Sequence, residues 1–181
     1  MGTVVSSSSV GSANMKRASG MIIILMGVVG AGKTTIGRLL AAQLGWEFAD
    51  ADDYHPEANV EKIRRGIPLN DLDRMPWLRQ LRAAIMNWQS EGRNGVLACS
   101  ALKKGYRDEL TIGDEVHFVY LRGSADVIAQ RLRLRKGHFA DDQILASQFA
   151  DLEEPESAAT IDVAKPVEQI VTEIRKKLGL A

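Results

Sequence analysis

A glycine-rich stretch, Gly27 to Thr34, has the residue types and the spacing needed to bind phosphate groups. It reads G-V-V-G-A-G-K-T and matches the pattern G-x-x-x-x-G-K-T. Glycines let backbone N–H groups close around phosphate oxygens, Lys33 can neutralise the β- and γ-phosphates, and the Thr34 hydroxyl can be a ligand of Mg²⁺. The predicted nucleotide-binding residues of the loop are Gly27, Val28, Val29, Gly30, Ala31, Gly32, Lys33, Thr34 and Thr35.

The residues on either side predict the strand and the helix that hold this loop. Residues 21–26, M-I-I-I-L-M, form a short apolar run of the kind seen in buried parallel strands. Apolar residues then recur at helical spacing, and Gly45 is a suitable helix end. Strand, loop and helix in this order form the context of a P-loop, in which the helix N-terminus adds partial positive charge.

Two aspartates, Asp50 and Asp52, directly follow the second predicted strand, 46–49. The third predicted strand, 96–100, ends without the acid that helps to hold the metal in many P-loop enzymes. The missing carboxylate must then come from elsewhere, and we expect these two aspartates to supply it, because they point the same way if the segment is extended. One can hold hydrated Mg²⁺ while the other accepts a proton from the acceptor hydroxyl. The alternative is that both only begin a solvated loop or cap a helix.

The remaining chain alternates predicted helices and strands. Further strands are expected at 116–121 and 160–163. Helices are expected at 59–65, from an N-cap at 73 to about 92, from 103–107, at 125–134, from 141 and from 166. Asp73 is the expected N-cap of the third helix, with Pro76 in its first turn. This alternation predicts an α/β fold in three layers, with a parallel sheet of about five strands and helices on both faces. Its carboxyl edge should carry the P-loop, the aspartates and Ser100.

Three arginines, Arg131, Arg133 and Arg135, crowd ahead of Gly137 after the fourth strand. Guanidinium groups on a mobile lid can close over phosphates, exclude water and stabilise developing charge. The simpler interpretation is a solvated helix face.

Composition excludes several classes of function. The 23 basic and 23 acidic residues balance, which gives no field that favours nucleic acid or an anionic membrane. The single cysteine, Cys99, excludes an internal disulfide and favours a reducing compartment, so we expect a cytoplasmic protein. No apolar run approaches the roughly 20 residues that span a bilayer. Residues 1–20 are rich in Ser and Gly and are predicted to form a flexible tail before one domain, 21–181.

Several runs together resemble bacterial gluconokinases. The most discriminating are D-A-D-D-Y-H-P-E-A-N at 50–59 and K-I-R-R-G-I-P-L-N-D-L-D-R-M-P-W-L at 62–78. Others are C-S-A-L-K-K-G-Y-R-D at 99–108, R-K-G-H-F at 135–139 and S-Q-F at 147–149. The sequence departs from the family pattern at Ala51, where relatives often have glycine, and a positive φ there would strain an alanine.

The resemblance implies ATP- and Mg²⁺-dependent phosphorylation of D-gluconate at its 6-hydroxyl. It also implies a P-loop NTPase fold with strand order 2-3-1-4-5, a mobile lid and a homodimer. By resemblance, Asp52 is the base, Asp50 the metal-side acid, Arg131 lies by the adenine and Arg135 lies over the phosphates. The catalytic residues are then Lys33, Asp52 and Arg135, and Thr34 joins Asp50 at the metal.

Gluconate offers one carboxylate and a row of hydroxyls, and the residue chemistry suits both. An arginine among Arg64, Arg65, Arg74 and Arg107 can clamp the carboxylate, and the residues do not say which. Asp52, His55 and Asn59 can bond hydroxyls, and His138 completes the expected substrate-binding set.

Alternatives to this function are a kinase of shikimate or nucleotides, a nucleotide-dependent switch, and a non-catalytic fold. No N-K-x-D motif of a guanine-specific switch occurs in the chain.

Overall fold

A five-stranded parallel sheet lies at the centre of the computed structural model, which describes residues 19–134 and 141–180. The strand order is β2-β3-β1-β4-β5, as the family resemblance implies. The central strand β1 is fully buried because helices cover both faces of the sheet, which explains its unbroken apolar sequence. The strands are β1 (Ile22–Met26), β2 (Glu47–Asp50), β3 (Gly95–Ala98), β4 (Val116–Arg122) and β5 (Ala159–Asp162).

Within the described residues, seven α-helices and one short 3₁₀ helix, Ala51–Tyr54, connect the strands. The predicted α/β fold with helices on both faces of a parallel sheet is thus confirmed. The α-helices are α1 (Lys33–Leu44), α2 (Glu57–Arg64), α3 (Asp71–Ser90), α4 (Lys104–Leu110), α5 (Ala125–Leu134), α6 (Asp141–Asp151) and α7 (Val167–Lys177).

The core consists of two apolar layers, one on each face of the sheet. Successive side chains of β1 point to opposite faces of the sheet and therefore enter opposite layers. Ile23 and Leu25 pack with α1, α5 and α7. Ile22, Ile24 and Met26 pack with α3 and α4. Both layers leave the carboxyl edge of the sheet open, and this edge positions the candidate site.

The start of α3 differs from the prediction. The N-cap is Asn70 rather than Asp73. The side-chain oxygen of Asn70 accepts a hydrogen bond from Asp73 N at 2.9 Å. Asp73 in turn accepts from Asn70 N at 3.1 Å, so the two side chains form a reciprocal capping box. Because helix α3 begins at Asp71, Pro76 lies in its second turn rather than its first.

Two expectations fall largely outside the described residues. Residues 1–18 of the predicted tail and residues 135–140 of the predicted lid are not among them. In the part of the chain that the structure describes, no helix combines the length and the apolar character needed to cross a membrane.

Candidate active site

The P-loop connects β1 to α1 and has the backbone that phosphate binding requires. Gly32 caps α1 with a φ of 94°, so the N–H groups of the first helical turn face the loop. Lys33 Nζ donates to the carbonyl oxygens of Gly27 at 2.9 Å and of Val28 at 3.0 Å. Gly27 N donates to Ser100 O at 3.2 Å, which ties the start of the loop to the end of β3.

Gly30 is required by both its backbone and its surroundings. Its φ is 80°, a conformation that L side chains rarely adopt. A Cβ atom at this position would lie 2.9 Å from Leu132 and 3.0 Å from Ile128, both on α5. The glycine therefore lets α5 pack directly against the phosphate-binding loop.

Asp50, the last residue of β2, contacts both α1 and the 3₁₀ turn. Its Oδ2 accepts from Thr34 Oγ1 at 2.7 Å, and its Oδ1 accepts from Asp52 N at 3.1 Å. The carboxylate and the hydroxyl are hard oxygen donors of the type that Mg²⁺ prefers, so the two side chains fit the predicted metal. Among the described residues, no group of three or more His, Cys, Asp or Glu side chains forms a metal site by itself. Phosphate oxygens and water would have to complete the coordination.

Asp52 lies on the 3₁₀ turn, and its carboxyl faces both cavities of the site. Although Asp52 is accessible through the cavities, surrounding protein desolvates it and raises its pKa, and the nearby charge of Asp50 raises it further. Trp77 Nε1 fixes the turn by donating to Ala51 O at 2.7 Å. Ala51 is buried and has no positive φ, so alanine causes no strain there.

A cavity of about 580 Å³ opens beside Asp52. His55 stacks on Trp77 at its wall, with ring centroids 4.8 Å apart and an interplanar angle of 12°. Burial lowers the pKa of His55, which favours its neutral form. Asn59 is buried behind this wall, where its Nδ2 donates to Asp73 O at 2.8 Å and lies 3.4 Å from His55 Nδ1.

Two cations, Arg74 and Lys103, line the same cavity. Arg74 Nη1 donates to Tyr106 Oη at 3.0 Å, and its guanidinium lies 5.7 Å from the centre of the Tyr106 ring. Lys103 Nζ donates to Asp71 Oδ1 at 2.8 Å, and Tyr106 Oη donates to the same oxygen. This network joins the start of α3 to the start of α4 and holds both cations at the cavity.

Three predicted arginines make contacts away from both cavities, and Arg65 and Asn59 do not line either cavity. The Arg64 side chain is 71 % exposed and pairs with Glu61 at 2.7 Å. Arg107 is buried, and its Nη1 donates to the carbonyl oxygens of Ala101 and Leu102. Arg131 donates to Val163 O. Two further predicted residues, Arg135 and His138, lie outside the described residues.

A second cavity, of about 270 Å³, is formed by the P-loop, Asp50 and the end of β3. Cys99 is buried at its floor, and burial raises the pKa of the thiol to about 12. Asp52, Ser100 and Gln148 line both cavities. A group bound by the P-loop and a group in the larger cavity would therefore meet between these three side chains.

Sequence reasoning did not assign a site role to Lys103, Tyr106, Trp77 or Gln148. Lys103 and Tyr106 belong to the run that carries the family resemblance, directly after β3, so their position at the carboxyl edge was the available signal. Trp77 was expected only to pack; it packs and also lines the larger cavity. For Gln148 the signal was the run S-Q-F at 147–149.

The comparisons with known proteins agree with this geometry. The shikimate kinase family model matches residues 29–178. The Xenopus tropicalis protein named "Probable gluconokinase" is 46 % identical, over 85 % of this chain and 91 % of its own. The thermoresistant gluconokinase of Escherichia coli is 44 % identical, over 83 % of this chain and 89 % of its own.

A solved structure of a gluconokinase from Sinorhizobium meliloti superposes with a TM-score of 0.78 and 39 % identity, over 91 % of this chain and 94 % of that one. The P-loop, the two aspartates and the adjoining cavity occur in a chain that matches such proteins over most of its length. The chain belongs to the gluconokinase family of P-loop kinases.

Proposed function

We propose that this protein transfers the γ-phosphoryl group of ATP to the 6-hydroxyl of D-gluconate, with Mg²⁺, to give 6-phospho-D-gluconate and ADP. The observation that carries the proposal is the meeting of the phosphate cavity and the larger cavity at Asp52. A phosphoryl donor and an acceptor can be held there in line, with little water between them.

The P-loop supplies the nucleotide side of the reaction. Backbone N–H groups at the start of α1 and the Lys33 ammonium would neutralise the β- and γ-phosphates. Thr34 and Asp50 would hold Mg²⁺, which when bound supplies positive charge that offsets the charge of the phosphates. The 2.7 Å contact between their side chains supports this assignment.

Asp52 would orient the acceptor hydroxyl and accept its proton. A general base is most effective when its pKa is close to the working pH. Desolvation by the surrounding protein, together with the charge of Asp50, moves the pKa of Asp52 in that direction. Both carboxylate oxygens of Asp50 accept hydrogen bonds, one from Thr34 and one from the Asp52 backbone. Asp52 is therefore the carboxylate of the pair that lines the larger cavity.

The gluconate carboxylate would bind to Arg74, with Lys103 as a second cation. Both line the larger cavity, whereas the other candidate arginines, Arg64, Arg65 and Arg107, do not. Neutral His55 can accept or donate a hydrogen bond to a substrate hydroxyl, and Asn59 would act through His55 rather than by direct contact.

An ADP-release assay across gluconate, shikimate, other sugar acids and nucleoside monophosphates tests the proposal. We expect ATP- and Mg²⁺-dependent turnover with gluconate and little with shikimate or AMP. If gluconate released no more ADP than a reaction without acceptor, while another compound did, the proposed substrate would be wrong.

Other family expectations remain part of the proposal. Arg131 beside the adenine, Arg135 over the phosphates and His138 at the substrate stay predictions, as do the mobile lid and the cytoplasmic location. The homodimer also stays a prediction, and light scattering of the purified protein would test it.

A further inference from the structure

A glutamine on α6, Gln148, contacts the P-loop directly. Val29 N donates to Gln148 Oε1 at 2.6 Å, across 119 positions of sequence. Because a backbone N–H can only donate, the oxygen of the side-chain amide must face Val29. The amide nitrogen, Nε2, is then necessarily turned away from the loop backbone.

Gln148 is half-buried and lines both the phosphate cavity and the larger cavity. Among the residues that the structure describes, no hydrogen bond involves its Nε2. Two N–H donors are thus held at the boundary between the cavities by the bond that Oε1 makes to the loop.

The three side chains at this boundary offer different chemistry. Asp52 can take the proton of the acceptor hydroxyl, and Ser100 has a hydroxyl group. Gln148 is the neutral amide among them, and its attachment to the P-loop places it on the nucleotide side. A donor there can stabilise the negative charge on the oxygens of a phosphoryl group during transfer.

We infer that Gln148 is a further catalytic residue whose Nε2 donates a hydrogen bond to the phosphoryl group in transit, while its Oε1 holds the P-loop. This inference rests on the proposed function. In the reaction, the bond from the γ-phosphorus to the β–γ bridging oxygen breaks and the bond to the acceptor oxygen forms. The hydroxyl proton goes to Asp52, and Gln148 neither gains nor loses a proton.

Two substitutions separate the two ends of the amide. Gln148→Glu keeps an oxygen that can accept from Val29 N but lacks N–H donors at neutral pH. Gln148→Met is similar in length and has neither group. Gln169→Met is the matched control, because Gln169 is exposed on α7 and its side chain makes no hydrogen bond within the described residues.

We expect both Gln148 variants to lose kcat on the order of 10- to 100-fold, as for the loss of one donor to a developing charge. Gln148→Met should also weaken ADP binding, because the P-loop loses its contact with α6. Gln148→Glu keeps that contact but places a negative charge beside the phosphates, so it should weaken ADP binding as well, and kcat is therefore measured at saturating ATP. Gln169→Met should behave as the parent protein, and circular dichroism should show all variants folded.

The pH dependence of Gln148→Glu provides a second measurement. Protonation of the new carboxyl group restores a donor, and the phosphates, Asp52 and Asp151 raise its pKa while Lys33 lowers it. We therefore expect the ratio of the variant's kcat to the parent's kcat to rise as the pH is lowered from about 8 to about 5.5. Because the new carboxyl group and Asp52 would raise each other's pKa, the ratio is also measured with Asp52→Asn present in both proteins, where residue 52 cannot titrate.

Parent-like kcat in either Gln148 variant would overturn the inference. So would a loss confined to nucleotide affinity, or a ratio that does not change with pH. The assays are run with gluconate and with the best acceptor from the substrate screen. If the parent protein uses another acceptor, the proposed substrate is wrong, and the same comparison on that acceptor still decides the role of Gln148.

Discussion

Thr34 Oγ1 and Asp50 Oδ2 are joined by a hydrogen bond of 2.7 Å between the start of α1 and the end of β2. The two residues come from elements that the sheet brings together only because β2 and β1 flank β3. Two oxygen atoms of the kind that bind Mg²⁺ are thereby fixed beside the P-loop before any ligand binds.

Asp50→Asn should raise the Mg²⁺ concentration needed for half-maximal activity on the order of tenfold, because a negative charge beside the proposed metal is lost. A Mg²⁺ titration at saturating ATP and gluconate measures the change. Asp53→Asn on the same 3₁₀ turn is the control, because Asp53 lines neither cavity. An unchanged Mg²⁺ requirement in Asp50→Asn would leave Thr34 as the only protein ligand in the proposal.

Asp52→Asn should lower kcat by roughly 10²- to 10⁴-fold with little effect on ATP binding, because asparagine cannot accept the proton. Steady-state kinetics and ADP titration separate the two effects. If Asp52→Asn mainly shifts the Mg²⁺ requirement instead, the roles of Asp50 and Asp52 are reversed.

The pH profile of the parent protein should show the raised pKa of Asp52. Because the base must be deprotonated, kcat/KM should fall on the acid side with an inflection above the ordinary aspartate range. Asp50→Asn removes a charge that raises this pKa, so it should move the inflection to lower pH. An inflection that stays in place would mean that Asp50 does not act on the titrating group.

Asp52→Asn should also stabilise the folded protein near neutral pH. The pKa of Asp52 is higher in the folded than in the unfolded chain, so the folded state loses stability as the pH rises from the unfolded pKa through the folded pKa. Asparagine carries no charge and avoids this penalty. Thermal denaturation should show a higher Tm for the variant at pH 7, with the difference shrinking as the pH approaches the ordinary aspartate range.

Arg74→Ala should raise the KM for gluconate about tenfold to a hundredfold, because a charged hydrogen bond to the carboxylate is lost. The KM for ATP should change little. Arg64→Ala distinguishes the structural assignment from the sequence alternatives, since its exposed side chain pairs with Glu61 outside the cavity. A larger effect on gluconate from Arg64→Ala than from Arg74→Ala would contradict the assignment.

The P-loop and the strand order could be expected from the sequence and its family resemblance, since the motif and its apolar flanks lie within about 25 consecutive residues. The choice among the arginines could not, because it depends on how helices pack. Arg107 belongs to a run that carries the resemblance, yet its guanidinium donates hydrogen bonds to the carbonyl groups of Ala101 and Leu102. Ala101 has a φ of 42°, and nothing in a single sequence indicates that an alanine adopts this conformation.

The capping of α3 shows a different limit. Asp73 was the expected N-cap, yet Asn70 and Asp71 are residue types that cap helices about equally well, so N-cap preference does not distinguish among the three. Asp73 also pairs with Lys62 of α2 at 2.6 Å, a tertiary contact that helps to fix its position. Residue preferences at helix ends therefore predicted the helix correctly, but they placed its N-cap at Asp73, three residues after the observed N-cap Asn70.

Cys99 is the one cysteine of the chain, and it is buried at the floor of the phosphate cavity. With its pKa raised to about 12, the native thiol is almost entirely protonated and unreactive. Alkylating reagents can then modify it only when the end of β3 opens, so the rate of modification reports local opening behind the P-loop. A nucleotide that stabilises the closed form should slow this modification, which makes the native thiol an internal probe of ligand binding that needs no introduced label.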